Sequence, residues 1–176
     1  MNQDIIYRAL TRDDCDKFRQ IDRCEIVEDI YYMRGGNLVL EKEYYDIKGL
    51  DNIENRIMNL KNICDKGGTI YGAFHNDTLV GLVSLRGELI GKNNDTIQLS
   101  SCFVSKNYRK KGIATKLIDM LKERAVQLGG KKIYVSATPS KNTVHFYMGI
   151  GFQLTDEPIQ ELFEEEPEDI HMEMNL

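Results

Sequence analysis

The chain has 176 residues, a formal net charge of −5 and an ordinary apolar and charged content. That length suits one domain with a full-sized core, and the acidic balance argues against bulk attraction to nucleic acid. No apolar run approaches the ~20 residues of a membrane span and no signal pattern opens the chain, so a cytoplasmic protein without membrane contact is expected.

Asp4–Leu10 reads as a strand, and Thr11 with Asp14 forms a capping-box pattern before a helix carrying Phe18 and Ile21. Residues 26–50 read as an inserted hairpin turned on Gly35-Gly36. Its Tyr31, Tyr32, Tyr44 and Tyr45 suit packing, a ligand cleft or a contact between two copies of the chain. Asp51 and Glu54 are expected to cap a second helix, with Ile53, Ile57, Leu60 and Ile63 on one face. Thr69–His75 and Leu79–Leu85, joined by Asn76-Asp77, predict an antiparallel hairpin. A strand follows over Ile97–Val104. Ile113, Leu117, Leu121, Ala125 and Leu128 then recur at helical spacing until Gly129-Gly130. Lys132–Ala137 reads as a strand, Pro139 onward as a short helix through Phe146 and Tyr147, and the segments from Gly151-Phe152 and over Ile170–Met174 as strands. No repeat, linker or second boundary interrupts residues 1–176, which read as one domain. The order predicts an α/β fold of three layers around a mixed sheet.

Cys15, Cys24, Cys64 and Cys102 form no C-x-x-C pair and His75, His145 and His171 stand far apart, so free thiols and no metal site are expected. The acidic cluster Glu161, Glu164, Glu165, Glu166, Glu168 and Asp169 reads as a solvated loop, with attraction of a cationic substrate as the alternative.

The segment Tyr108-Arg-Lys-Lys-Gly-Ile-Ala114 carries the chemistry. It reads R-x-x-G-x-A between a strand and a helix and lies among Lys106, Arg109, Lys110, Lys111 and Lys116. The first N–H groups of a helix lack internal partners, and the dipole there is positive, so a basic glycine loop at this place suits phosphate. Gly112 leaves room where a side chain would intrude.

With Phe103-Val104 before the loop and Ser140-Lys-Asn-Thr-Val-His-Phe-Tyr-Met-Gly-Ile-Gly-Phe152 after it, the chain resembles the GNAT superfamily of acyl-CoA N-acyltransferases. The resemblance implies a three-layer α/β/α fold whose mixed sheet of about seven strands is splayed into a V. It implies acetyl-CoA as co-substrate and an amine on a small molecule or peptide as acceptor. Main-chain N–H groups from Arg109, Lys110, Lys111, Gly112, Ile113 and Ala114 would wrap the pyrophosphate. Phe103 and Val104 would offer main-chain hydrogen bonds to the pantetheine arm, with Ser140 and Asn142 approaching the cofactor from the next helix. Tyr147 would protonate the leaving thiolate.

Transfer from a thioester to an amine needs a neutral amine, a polarised carbonyl and a stabilised thiolate. Proximity can supply on the order of 7–11 kcal/mol of the barrier, and one main-chain donor about 3 kcal/mol. No covalent intermediate is then required, and Cys102, a conceivable nucleophile, has no basic partner near it in sequence. The chain departs from the family in three places. Ser100 stands where many members carry a glutamate that helps deprotonate the amine, and Glu88 is the replacement expected here. Lys106 replaces a common proline, and Ala114 replaces a second glycine. The missing acid leaves a non-catalytic acyl-CoA-binding module as the alternative.

Overall fold

The computed structural model describes residues 4–49 and 52–176. Seven strands form one mixed sheet in the order β1 (Ile6–Ala9), β4 (Thr69–His75), β5 (Thr78–Ile90), β6 (Thr96–Val104), β7 (Lys132–Ala137), β9 (Ile170–Asn175) and β8 (Gln153–Leu154). The β6–β7 pair is parallel and the other neighbours are antiparallel. The three-layer arrangement expected from the sequence is present. One core cluster lies under α2 (Ile113–Gln127) and α3 (Lys141–Gly149), and the other under α1 (Ile53–Asp65) and a 3-10 helix over Asp13–Gln20.

The first helix is tighter than its pattern suggested. Cys15, Phe18 and Ile21 are all buried and recur every third residue, the period of a 3-10 helix rather than of an α-helix. Asp14 accepts from the Thr11 N–H and hydroxyl, both at 3.2 Å, so half of the capping box is formed. The second helix has no side-chain cap at Asn52, and Glu54 pairs instead with Arg19 at 2.6 Å. The Asp51 position lies outside the described residues. The α2 helix ends as expected: Gly130 N–H donates to the Ala125 carbonyl at 2.9 Å, the closing bond of a Schellman turn.

The inserted hairpin comprises β2 (Glu25–Arg34) and β3 (Asn37–Ile47) and forms a two-stranded sheet of its own. One segment differs from the sequence reading. The acidic stretch is not all loop. Gln160–Glu165 forms a short helix, α4, anchored by buried Leu162, with the glutamates on its wet side.

Candidate active site

The central opening in the sheet follows from strand register. β6 and β7 pair only over Thr96–Gln98 with Lys132–Tyr134. Immediately beyond, β6 carries an extra residue: Leu99 faces Leu85 and Ser101 faces Ser84, which leaves Ser100 unpaired. A bulge bends and twists its strand. Here it turns the rest of β6 away from β7 and exposes one edge of β6 inside the fold.

Strand alternation identifies the groups on that edge. The Ser105 N–H donates to Val80 on β5 at 2.8 Å, so Phe103, two residues back, also turns its main chain to β5, opposite Leu82. The groups facing the opening therefore belong to Cys102 and Val104. This corrects the expectation for Phe103, whose main chain is committed to the sheet. Its ring packs edge-on to Phe18 at 5.2 Å, with the Arg56 guanidinium 5.3 Å above it. Arg109 folds back so that Nε donates to the Val104 carbonyl at 3.0 Å, while Nη1 lies 3.7 Å from Glu25 of the hairpin. Its side chain thus closes the loop against the strand end.

The loop expected to hold phosphate turns sharply into α2. Lys110 has φ 60° and Gly112 has φ 78°, and together they bring the chain round into α2. No side chain caps the helix, and a Cβ on Gly112 would meet no protein atom within 4 Å. The space in front of the free N–H groups is open. Lys110 and Lys111 are exposed, with Lys111 Nζ 5.2 Å from the Tyr108 ring centre, while Ile113 is buried and Ala114 partly so.

On the far side of the opening, α3 places Tyr147 among Phe146 and Phe152, with ring centres 5.3 and 5.2 Å away. Its hydroxyl lies beside the Cys102 thiol. Burial, and secondarily that thiol, raises the phenol well above its usual range, so it stays protonated and is able to donate. The Cys102 thiol is itself pushed up to about 12 by burial, and a neutral thiol is no nucleophile. Ser140, an expected cofactor contact, caps α3: its Oγ accepts from Thr143 N–H at 3.3 Å and donates to Thr143 Oγ1 at 2.9 Å. Asn142, one position into the helix, is exposed.

Glu88 and Ser100 line one cleft of about 120 Å³ together with Asn59, Asn62, Lys66 and Arg86. It lies on the α1 face of the sheet, where residues 86–88 loop out between the pairs Leu85–Leu99 and Leu89–Ile97. The loop touches the end of α1 so closely that a Cβ on Gly87 would come within 2.6 Å of the Lys66 carbonyl oxygen. Arg86 has no counterpart among the candidates the sequence suggested, because nothing local marks its place across from a bulge. The hairpin spans the opening. Near its base Glu25 approaches Arg109. Farther along, Ile30 bridges to Ser140, the Tyr31 N–H donates to the Pro139 carbonyl at 2.8 Å, and the Tyr31 hydroxyl lies 2.8 Å from His145 Nε2. Among the described residues no group of three or more His, Cys, Asp or Glu could hold a metal, and no helix is long and apolar enough to cross a membrane.

A mixed sheet opened at a bulge, with an uncapped glycine helix start at one end of the exposed edge, is the architecture of an acyltransferase that uses coenzyme A. Solved structures share the fold. The nourseothricin acetyltransferase superposes with a TM-score of 0.69 at 16% identity, over 97% of this chain and 98% of that one. A Bacillus anthracis protein assigned as a streptothricin acetyltransferase, in complex with acetyl coenzyme A, gives 0.73 at 19%, over 98% and 99%. The PaiA N-acetyltransferase of Thermoplasma acidophilum, in complex with coenzyme A, gives 0.66 at 19%, again over 98% and 99%. No curated protein matches the chain in sequence. The family model of the GNAT acetyltransferase domain matches residues 42–176. The chain belongs to the GNAT family and is an acetyltransferase.

Proposed function

We propose that the chain transfers the acetyl group of acetyl-CoA directly to a primary amine of a small molecule or peptide, with donor and acceptor bound together. The observation that carries this reading is the coincidence of three features at one opening: the free β6 edge, the uncapped start of α2, and the protonated Tyr147 phenol beside Cys102. The residues fit a donor of this kind. The loop 109–114 offers free N–H groups, a positive helix end and open space for a pyrophosphate. Cys102 and Val104 offer main-chain partners for an extended amide-bearing arm, which would lie against β6 as an added strand. Asn142 is free to meet that arm, whereas Ser140 acts through the α3 cap.

When bound, acetyl-CoA supplies an activated acyl group and a thiol leaving group. Tyr147 is placed to stabilise that thiolate. An ordinary thiol has a pKa of about 8.5, below the raised phenol, so Tyr147 serves by donating a hydrogen bond rather than by giving up its proton outright. Glu88 lines the same cleft as Ser100, where the family's usual acid is absent, and through water it would take the proton of the acceptor ammonium. The neutral Cys102 thiol favours direct transfer over an acyl-cysteine route. The whole chain acts as one catalytic domain in this reading, with the hairpin as an insertion over the acceptor side.

The test is thiol release from acetyl-CoA across a panel of polyamines, aminoglycosides, amino acids and peptides. Acceleration by one class establishes the amine transfer and names its acceptor. Calorimetric binding of acetyl-CoA without acceleration by any amine would leave a binding module in its place.

A further inference from the structure

The cleft at Ser100 has a charge pattern that points to a narrower acceptor class. Its charged lining consists of Lys66, Arg86 and Glu88, two cations to one anion, with the side-chain amides of Asn59 and Asn62 beside them. Lys66 and Arg86 have no ion-pair partner among the described residues. Arg86 Nε is buried and nothing among the described residues accepts its hydrogen bond. Buried guanidinium donors are nearly always satisfied, so one left open beside a cleft is a group awaiting a ligand. Arg56 Nε and Ser84 Oγ are in the same condition. Ser84 lies one strand position from Leu85 and faces the same side of the sheet as Leu82, in the core cluster under α1.

We propose that the acceptor carries a carboxylate as well as its reactive amine, with the carboxylate received by Arg86 and Lys66 and the amine held toward Glu88 and the Ser100 bulge. This deepens the acetyltransferase reading and rests on it. Guanidinium presents paired donors whose geometry matches a carboxylate. The volume, about 120 Å³, equals roughly four water molecules' share of liquid. It admits the head of an amino acid, with any longer side chain directed outward. A polyamine would bring a second cation against Lys66 and Arg86. The acidic run on α4 and after it, which suggested a cationic acceptor in the sequence, is not part of this cleft.

The experiment compares matched pairs that differ in the carboxylate alone: alanine with alaninamide, and lysine with cadaverine. Binding to the protein saturated with coenzyme A is measured by calorimetry, so the result does not depend on turnover. The expected result is at least about tenfold tighter binding of the carboxylate-bearing member, the lower end of what a charge-assisted hydrogen bond contributes. Arg86→Gln should bring each pair within about twofold while leaving coenzyme A affinity unchanged, and Arg86→Lys should keep part of the preference. If Arg86→Gln does not fold, Lys66→Gln gives the same comparison at the cleft rim. Equal or tighter binding of alaninamide and cadaverine, or no binding by either carboxylate-bearing member, would overturn the proposal. Thiol release from acetyl-CoA in parallel tests the acetyltransferase reading separately. A carboxylate preference in binding without turnover counts against amine transfer alone, and turnover that favours the amides counts against the carboxylate site alone.

Discussion

In the proposed reading, the donor half and the acceptor half of the opening are built from different materials. On the donor side the working groups are main-chain ones: the first N–H groups of α2, the exposed edge of β6 at Cys102 and Val104, and a loop that needs φ 78° at Gly112. Its charged side chains brace the loop, as when Arg109 clasps the Val104 carbonyl. On the acceptor side the working groups are side chains. Arg86 keeps a buried polar atom there without a partner among the described residues. A main-chain site recognises the one thing every donor of a family shares. A side-chain site can be rewritten by substitution without disturbing the fold, and it leaves unsatisfied groups when empty.

The largest predicted effect separates the halves. Gly112→Val places a β-branched residue at a left-handed position and fills the space before the free N–H groups. No protein atom lies within 4 Å of the new Cβ, so the obstruction falls on the ligand. Acetyl-CoA affinity should fall by about 100-fold or more in calorimetry, as expected if two charge-assisted hydrogen bonds are lost. Acceptor binding measured by the same method should change little. An unchanged acetyl-CoA affinity would remove the loop from the donor site.

Tyr147→Phe comes next. It removes a donor to a developing thiolate and should lower kcat by about 10- to 100-fold with acetyl-CoA affinity nearly unchanged. An unaltered kcat would mean that Cys102, not a leaving thiolate, is the only partner its hydroxyl serves.

The same division explains what was legible in the sequence. The loop, the helix it opens and the position of Tyr147 follow from local pattern, because glycine and helical spacing constrain the backbone residue by residue. The splay also has a local cause in the Ser100 bulge, but a bulge changes which main-chain groups face the opening. The spacing of Phe103 and Val104 could not show that Phe103 faces β5 and Cys102 the opening. Arg86 was invisible for a different reason. It gains meaning only from α1, more than a dozen residues earlier, and from a strand loop pressed against that helix at Gly87. The 3-10 type of the first helix was written in the every-third spacing of Cys15, Phe18 and Ile21, while the capping pattern announced only a helix.

The hairpin tests whether the two halves are mechanically joined, since β2 touches the loop base at one end and α3 at the other. Tyr31→Phe removes the hydroxyl that meets His145, two residues before Tyr147 on α3. The expected effect is a rise of several-fold in acceptor KM, with acetyl-CoA affinity constant, the size of one exposed neutral hydrogen bond. A matched loss of acetyl-CoA affinity would show that the hairpin belongs to the donor half as well.

The smallest predicted effect is on stability, and it sharpens the view that the acceptor half tolerates uncompensated polar groups. The two ends of α4 cover one face of β7 and β9: Ile159 N–H, before the helix, donates to the Tyr134 hydroxyl at 3.2 Å, and the buried His171 lies 2.7 Å from the same hydroxyl and 3.0 Å from the Glu166 carbonyl oxygen, after it. Beside this network Asp169 is half-buried, and its carboxyl is raised to about 6, first by burial and then by the neighbouring Glu166. The folded protein therefore holds this proton more tightly than the unfolded chain, whose carboxyl titrates near 3.8. Stability from this group is fully present below that lower value and is lost as pH rises through about 6. Asp169→Asn keeps the shape and removes the charge. It should stabilise the protein at pH 7 by about 1–2 kcal/mol, with little change at pH 4, as read from urea unfolding at both pH values. A variant less stable at pH 7 would mean that the ionised carboxylate is compensated in the folded state.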